Sequence, residues 1–324
     1  MFSESDDEAH TPTPAPTQQP TYPLSIAAMQ SRKYPGSALS IDQTLDPGSN
    51  YRRYIVSYRS DGLKIYALLT VPDGDKPAGG WPVVIFNHGY IPPEIYRTTE
   101  RYIAYVDAIA RNGYIVLKPD YRGNGSSEGS PEGAYYSPAY TVDVLNAVAS
   151  MKLYPDANKN KIGMWGHSMG GNITLRALVV DPQDIKAAVI WGGVIGTYDQ
   201  LMNHWTRVVA YRPSQRELTL RNNNRSTLIK QFGTPQTNPS FWNSIDPDSY
   251  LSDIQTPLQL HHGQSDEEVP VAFSQTVYDR LTALHKTVSL YTYPGADHNI
   301  SDPSFTTAMN RSIDFFNQYL KSKP

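Results

Sequence analysis

Short apolar runs typical of β-strands alternate with segments of helical period along most of the chain, and this alternation strongly restricts the possible folds. The predicted strands are residues 51–58, 63–71, 82–88, 114–117, 161–165, 185–190, 257–261 and 288–293. The predicted helices are residues 98–111, 139–153, 172–180, 271–284 and 303–320. Such alternation predicts an α/β fold with a mainly parallel sheet and helices on both faces. The first two strands, joined by Ser60-Asp61-Gly62, are expected to form an N-terminal antiparallel hairpin.

The alternation lapses at about residues 197–254, where no clear strand occurs. Because the pattern of strands and helices resumes afterwards, we expect this stretch to be a small cap inserted into one α/β domain of residues 24–324. No internal repeat is visible.

Residues 1–23 are acidic at first and then rich in proline, threonine and glutamine. Such a composition cannot bury enough apolar surface to offset the entropy of ordering, so a disordered leader or tether is predicted. No apolar signal segment precedes it, and Met1 is interpreted as a start placed after a removed signal. This favours a secreted or tethered protein outside the cytoplasm. A cytoplasmic protein with a ragged N-terminus is the alternative.

The composition of the 324 residues excludes several classes of function. Hydrophobic residues make up 39% of the chain, enough for a substantial core, and the net charge of −3 argues against a nucleic-acid partner. No apolar run reaches transmembrane length. The absence of cysteine excludes disulfides, thiolate nucleophiles and cysteine-ligated zinc. No spacing typical of a metal site stands out.

The motif Gly166-His167-Ser168-Met169-Gly170 stands where a predicted strand gives way to a predicted helix. A chain that reverses sharply there brings the residues two before and two after the turn close together, which leaves no room for a Cβ. Glycines at these positions therefore indicate a nucleophile elbow that exposes the Ser168 hydroxyl at the N-terminal end of the helix.

A serine nucleophile needs a base and an acid that orients the base, in the chain order Ser, Asp or Glu, His. Of the eight histidines, His298 follows the last predicted strand in a glycine-containing loop, which makes it the expected base. Asp266, Glu267 and Glu268 follow the preceding strand. Asp266 is the preferred acid, because a short carboxylate close to the strand end points back towards the histidine.

The oxyanion of an acyl-transfer reaction needs backbone donors. One is expected to be the N–H of Met169, directly after the serine and at the N-terminus of its helix. The second is expected to be the N–H of Tyr90, in the loop after the first parallel strand, where Gly89 allows the backbone to turn.

These motifs together resemble the α/β-hydrolases, and within them the prolyl oligopeptidase-like and dienelactone hydrolase-like serine hydrolases. The matching pieces are NHGY (87–90), DYRGNGSSEG (120–129), GHSMGG (166–171), HHGQSDEEVP (261–270) and YPGADHN (293–299). The resemblance implies a Ser-His-Asp mechanism without cofactor on esters, thioesters or amides, with Ser168, His298 and Asp266 in these roles. The family stretch around Asp120 and Arg122 is interpreted as structural bracing.

Two departures from the family favour a stand-alone serine esterase. The oligopeptidases carry a large N-terminal β-propeller, whereas only about fifty residues precede the hairpin in this sequence, and the cysteine nucleophile of dienelactone hydrolases is absent. The expected substrate is a small-molecule carboxylic ester with a bulky or aromatic acyl group, contacted by Trp191, Trp205 and Trp242. A small exopeptidase or acyl-peptide hydrolase is the alternative, and a non-enzymatic binding module is a third possibility. The oligomeric state is left open.

Overall fold

A computed structural model of the protein describes residues 22–206 and 215–321. The strands are β1 (Ser40–Leu45), β2 (Tyr51–Ser60), β3 (Leu63–Pro72), β4 (Trp81–Asn87), β5 (Ile115–Pro119), β6 (Ala157–His167), β7 (Ala187–Trp191), β8 (Leu258–Gly263) and β9 (Val288–Tyr293). They form one sheet in the order β1-β2-β3-β5-β4-β6-β7-β8-β9. Pairing is antiparallel from β1 through β3 to β5 and parallel from there to β9. The predicted α/β-hydrolase fold with its N-terminal hairpin is thus confirmed.

Helices cover both faces of the sheet. They are α1 (Ile26–Ser31), α2 (Ile103–Arg111), α3 (Ala139–Lys152), α4 (Met169–Val180), α5 (Tyr198–Asn203), α6 (Gln215–Phe232), α7 (Pro239–Ile245), α8 (Val271–Ala283) and α9 (Phe305–Phe316). Alternate residues of the central strand β4 enter different cores. Val83 and Ile85 pack with residues of α1, α3, α4 and α8, whereas Val84 and Phe86 pack with residues of α2 and α9. A strand buried on both faces explains its unbroken apolar sequence.

The outermost strand β1 and the short helix α1 do not appear among the elements predicted from the sequence. In β1, the burial pattern shows a nearly fully exposed strand with the sequence SIDQTL. Its backbone pairs with β2, and its side chains do not alternate cleanly between apolar and polar. Pairing with an existing strand stabilises it, and a hydrophobic period does not reveal such an edge strand.

Most of the predicted leader, residues 1–23, lies outside the described residues, which begin at Tyr22. The ring of Tyr22 packs edge-on against Phe232 and Phe241, with ring centroids 5.3 and 5.7 Å apart. The next apolar residue, Leu24, is fully buried in the same cluster as Trp242. Tyr22, which belongs to the predicted leader, therefore packs on the body of the protein, and Leu24 lies within the predicted domain of residues 24–324.

The stretch between β7 and β8 is helical where the structure describes it. It contains α5, α6 and α7 and a 3₁₀ turn at Pro247–Asp253. Helix α7 joins the apolar cluster that receives Leu24, while α6 crosses near the carboxyl ends of the central strands and contributes to a cavity there. This arrangement places residues from the inserted stretch beside the loops that follow the strands.

A buried ion pair braces the loop after β5. The guanidinium of Arg122 donates from both Nε and Nη2 to Asp143 on α3, with a shortest distance of 2.7 Å. Ser60 Oγ also donates to this carboxylate at 2.7 Å. Asp120 has a separate set of partners, since its carboxylate accepts the hydroxyls of Tyr96 and Thr98. Both residues of the family-like stretch therefore make buried contacts that hold the loop in place.

Replacing Asp143 by alanine should lower the free energy of unfolding by about 3–5 kcal/mol, because the buried Arg122 guanidinium would lose its principal partner. The matched control is Asp156→Ala, which removes a half-exposed pair with Lys76 and should cost about 1 kcal/mol or less. Urea unfolding of both variants measures the difference. Equal losses in the two variants would contradict a bracing role for the buried pair.

Candidate active site

Ser168 lies at the sharp turn between β6 and α4. Its backbone has φ 55° and ψ −118°, a conformation that is unfavourable for a residue with a side chain. Strain of this kind persists only where the surrounding structure enforces it, and here a strand and a helix fix both sides of the turn. The predicted strand-turn-helix setting of Ser168 is confirmed.

The flanking glycines are required by close backbone approaches. A Cβ on Gly170 would lie 1.9 Å from the carbonyl oxygen of Asn87, at the end of β4. A Cβ on Gly166 would lie 2.5 Å from the carbonyl oxygen of Gly170. The residues two before and two after the serine therefore do approach each other, as the motif predicts, and no larger residue fits at either position.

His298 and Asp266 meet through the loops that follow β9 and β8. Nδ1 of His298 donates to Oδ2 of Asp266 at 2.7 Å. The other carboxylate oxygen accepts the backbone N–H groups of Glu268 and Val269, both at 2.8 Å. The side chain of Glu267, in contrast, is exposed. The structure thus brings Asp266, and not the neighbouring Glu267, to the imidazole of His298.

The pKa of Asp266 reflects two opposing influences. Burial of its fully enclosed side chain acts to raise the pKa, but hydrogen bonds from His262 and His298 outweigh burial and hold it well below the usual range. The carboxylate is therefore ionised at neutral pH. An ionised partner fixes the proton of His298 on Nδ1 and leaves Nε2 as the basic nitrogen.

Backbone contacts hold the loop of His298 close to the turn of Ser168. The N–H of Ser168 donates to the carbonyl of Trp191 at 3.0 Å, at the end of the adjacent strand β7. A Cβ on the next residue, Gly192, would lie 3.1 Å from Nδ1 of His298. A glycine directly after the strand that neighbours the serine therefore leaves room for the imidazole, and His298 lies at the same end of the sheet as Ser168.

His262, which the sequence analysis passed over, is a further partner of Asp266. Its Nε2 lies 3.2 Å from Oδ2 of Asp266 and 3.0 Å from the carbonyl of Val269, and Ser274 Oγ lies 2.7 Å from its Nδ1. Because a carbonyl only accepts, Nε2 carries the proton and Ser274 donates to Nδ1. The sequence signal was the pair His261-His262 at a strand end, four residues before the acid.

The two residues predicted to supply oxyanion donors lie on either side of the serine. Met169 is the first residue of α4, and Tyr90 belongs to the loop after β4. A Cβ on Gly89 would lie 3.2 Å from Cβ of Ser168, so this loop passes directly over the serine. Both Met169 and Tyr90 line one cavity. The role of their backbone N–H groups as oxyanion donors stays a prediction.

This cavity has a volume of about 260 Å³ and several aromatic residues in its wall. Its aromatic residues are Tyr90, Tyr135, Tyr136, Tyr140 and Trp205. Helix α6 adds polar residues, including Arg225, and Glu132 lies at the same cavity. The indole N–H of Trp205 donates to the carbonyl of Glu268 at 2.8 Å, which links the cap to the loop of the acid. The cavity therefore joins the cap, the elbow and the loop after β4.

Of the three tryptophans expected to contact the substrate, only Trp205 lines this cavity. Trp191 is fully buried on β7 between α2 and α9, and its indole donates to Ser312 Oγ at 3.0 Å. Trp242 is buried in the cluster of Leu24, with its indole bonded to the carbonyl of Gly233 at 3.1 Å. The prediction was wrong for both residues, because each side chain faces a core away from the cavity. Trp205 alone lines it.

Neither a membrane-spanning helix nor a cluster of metal-binding side chains occurs in the part of the chain that the structure describes. Among residues 22–206 and 215–321, no helix is long and apolar enough to cross a bilayer. In the same part of the chain, no group of three or more histidine, aspartate or glutamate side chains is arranged to hold a metal ion.

Two relatives found by comparison with known proteins differ in how much of their own length this chain matches. The chain is 25% identical to the uncharacterized peptidase YtmA of Bacillus subtilis over 78% of its own length and 88% of that protein. It is 27% identical to the probable dipeptidyl-aminopeptidase B of Aspergillus oryzae over 74% of its length, but spans only 25% of that protein.

Solved structures extend the likeness of fold to esterases. Est1E from Butyrivibrio proteoclasticus, with ferulic acid bound, superposes with a TM-score of 0.61 at 20% identity. The match covers 82% of this chain and 99% of Est1E. The model of the prolyl oligopeptidase family matches residues 101–323, which include the elbow and the loops of Asp266 and His298. The chain therefore belongs to the prolyl oligopeptidase family of serine hydrolases.

Proposed function

We propose that this protein is a carboxylesterase that acts through an acyl-enzyme on Ser168, with His298 as general base and Asp266 as the residue that orients it. The observation that carries the proposal is the 2.7 Å hydrogen bond between Asp266 and Nδ1 of His298, in a loop packed beside the strained turn of Ser168. A serine hydroxyl becomes nucleophilic only when such a base accepts its proton.

The proposed reaction has two halves. Nε2 of His298 accepts the Ser168 proton as Oγ attacks the ester carbonyl, and the backbone N–H groups of Tyr90 and Met169 stabilise the oxyanion. The alcohol then leaves with the proton from Nε2. Water attacks the acyl-enzyme with the same nitrogen as base, which releases the acid and restores Ser168.

The aromatic cavity supports a bulky or aromatic acyl group. An engineered cavity of about 150 Å³ admits benzene, so a cavity of about 260 Å³ has room for a single substituted ring. Tyr135, Tyr140 and Trp205 line the cavity, and aromatic side chains pack favourably with an aromatic group. Est1E, which shares the fold, holds ferulic acid, an aromatic acid, in its structure.

An exopeptidase or acyl-peptide hydrolase is the second candidate function. Glu132 and Arg225 line the aromatic cavity and offer opposite charges to a peptide terminus. The names of YtmA and of the Aspergillus protein are those of peptidases. The aryl ester is preferred because the aromatic residues form more of the wall, and Glu132 is exposed to solvent rather than enclosed as a charge anchor.

The ratio of ester to amide hydrolysis separates these two functions. We expect kcat/KM for an aryl-acid p-nitrophenyl ester to exceed that for aminoacyl p-nitroanilides by about 10³ or more, because the cavity favours an apolar acyl group and amides are less reactive. A panel of both substrates measures the ratio. Comparable rates on peptide amides and esters would assign the protein to the exopeptidases instead.

A substitution of Trp205 in the cavity tests whether the cavity binds the acyl group of the ester. Trp205→Ala should lower kcat/KM for the aryl ester by about tenfold, which is the effect expected from losing the burial of roughly 50–60 Å² of apolar surface. The value of kcat/KM for an acetate ester should stay nearly unchanged. An equal loss on both esters would show that Trp205 acts through the acid loop and not through the acyl group.

A further inference from the structure

A hydrogen-bonded chain joins the loop after β4 to the loop of His298 through the residue next to Ser168. The hydroxyl oxygen of Tyr102 lies 2.9 Å from the backbone nitrogen of Gly89 and 2.7 Å from Nδ1 of His167. On its other side, Nε2 of His167 lies 3.0 Å from the carbonyl oxygen of His298. One tyrosine and one histidine thus connect the two loops that face the serine.

The chemistry of the atoms fixes the direction of every bond in this chain. The carbonyl of His298 only accepts, so Nε2 of His167 carries the proton and its Nδ1 is the acceptor. Tyr102 must then donate its O–H to Nδ1, which leaves its oxygen to accept the N–H of Gly89. The Tyr102 hydroxyl therefore donates one hydrogen bond and accepts another, and removing it leaves both Nδ1 of His167 and the N–H of Gly89 without this partner.

Burial keeps both side chains in these protonation states. Burial and, to a smaller extent, the nearby His298 lower the pKa of His167 to about 3. Burial raises the pKa of Tyr102 well above its usual range. The ring of Tyr102 is packed against Phe86, Trp165 and His167, with centroids 5.5 to 6.4 Å away. The imidazole is neutral and the phenol protonated throughout the neutral pH range.

The backbone at Tyr102 is strained in a way that serves this contact. Arg101 and Tyr102 have φ values of 59° and 54°, two consecutive left-handed residues with side chains directly before α2. A Cβ on Gly89 would lie 2.5 Å from the Tyr102 hydroxyl, so the loop needs a glycine where the phenol arrives. The strain lies in the backbone of Tyr102 and the close approach at its hydroxyl, so both features belong to the residue that contacts the loop of Tyr90.

We propose that Tyr102 and His167 are positioning residues that hold the Gly89-Tyr90 backbone and the loop of His298 in one fixed arrangement around Ser168. The positions of the proposed oxyanion donor and of the proposed base then depend on the same chain of hydrogen bonds and are not independent of each other. The inference rests on the proposed function for its effect on catalysis, whereas the coupling of the two loops is a property of the fold itself.

The first test is Tyr102→Phe, which keeps the ring and removes only the hydroxyl. We expect kcat for an aryl ester to fall by about 10- to 100-fold with KM changed less than about threefold, since small displacements of catalytic groups affect mainly the transition state. The matched control is Tyr58→Phe, whose buried hydroxyl donates to the carbonyl of Asp143 at 2.9 Å. The Tyr58→Phe variant should lose about as much free energy of unfolding as Tyr102→Phe and keep the kcat of the wild type. Unchanged kcat in Tyr102→Phe would overturn the proposal.

The second test measures coupling between the loops without relying on activity. Hydrogen exchange is followed by mass spectrometry in peptides that cover residues 88–91 and 294–300. Both Tyr102→Phe and His167→Phe should raise exchange in both peptides, and the double variant should scarcely exceed His167→Phe, as expected of one chain. A response of only the loop nearest each substitution, or additive responses, would overturn the coupling. If the wild-type protein hydrolyses no ester, the proposed function fails, while exchange still decides the coupling.

Discussion

Ser168→Ala is expected to yield a folded protein whose esterase activity is lower by a factor of about 10⁴ or more. The turn at this position depends on Gly166 and Gly170 and on the strand and helix at its sides, so removing one hydroxyl should leave it in place. What is lost is the nucleophile itself. Initial rates on an aryl p-nitrophenyl ester, together with circular dichroism and a melting curve, measure both parts of this expectation.

Two controls sharpen the test of the nucleophile. A fluorophosphonate reagent should label the wild-type protein at Ser168 and fail to label Ser168→Ala. Ser252→Ala, which changes an exposed serine in the 3₁₀ turn, should retain full activity. Turnover close to that of the wild type in a pure sample of Ser168→Ala would refute the assignment, whatever the labelling showed.

His298→Ala should lose activity as severely as Ser168→Ala, and the double variant should be scarcely worse than either single one. Residues that act as one unit cannot lose the same function twice. Asp266→Asn should cost somewhat less, about 10²- to 10⁴-fold, because an amide in place of the ionised carboxylate no longer holds the proton of His298 on Nδ1. Steady-state kinetics on a single ester compare these four variants with the wild type.

The carboxylates beside Asp266 are the natural controls for the acid. Glu267→Gln and Glu268→Gln should each change kcat/KM only mildly, because it is the Asp266 carboxylate that accepts Nδ1 of His298. If Glu267→Gln proved the most damaging of the three changes, the acid would be misassigned. Additive losses in the double variant of Ser168 and His298 would point to another base.

Much of the fold could be predicted because it depends on local patterns. Strands buried on both faces, such as β4 and β7, carry unbroken apolar sequences, and the segments between them have helical period. The elbow could also be predicted, since only glycine tolerates the backbone approaches made at Gly166 and Gly170. The chain order of the serine, acid and histidine follows from the order of the strands that precede them.

Contacts between distant segments were decided by the tertiary structure. Trp205 and Trp242 are equivalent as sequence signals, yet Trp205 lines the cavity and Trp242 is buried in the apolar cluster that contains Leu24. The indole of Trp205 reaches the carbonyl of Glu268, 63 residues further along the chain. No local period encodes which of two aromatic side chains will face a cavity assembled from several loops.

Around the serine, too, some features follow from the local sequence and others from contacts between distant segments. The sequence by itself determined that Ser168 stands in a strained turn, because glycine spacing reports a local steric requirement. Only the tertiary structure decided that Tyr102 meets His167, 65 residues away, and that His167 meets the carbonyl of His298 across 131 residues. These bonds depend on how the ends of separate strands lie side by side in the sheet, and that arrangement exists only once the whole sheet has formed.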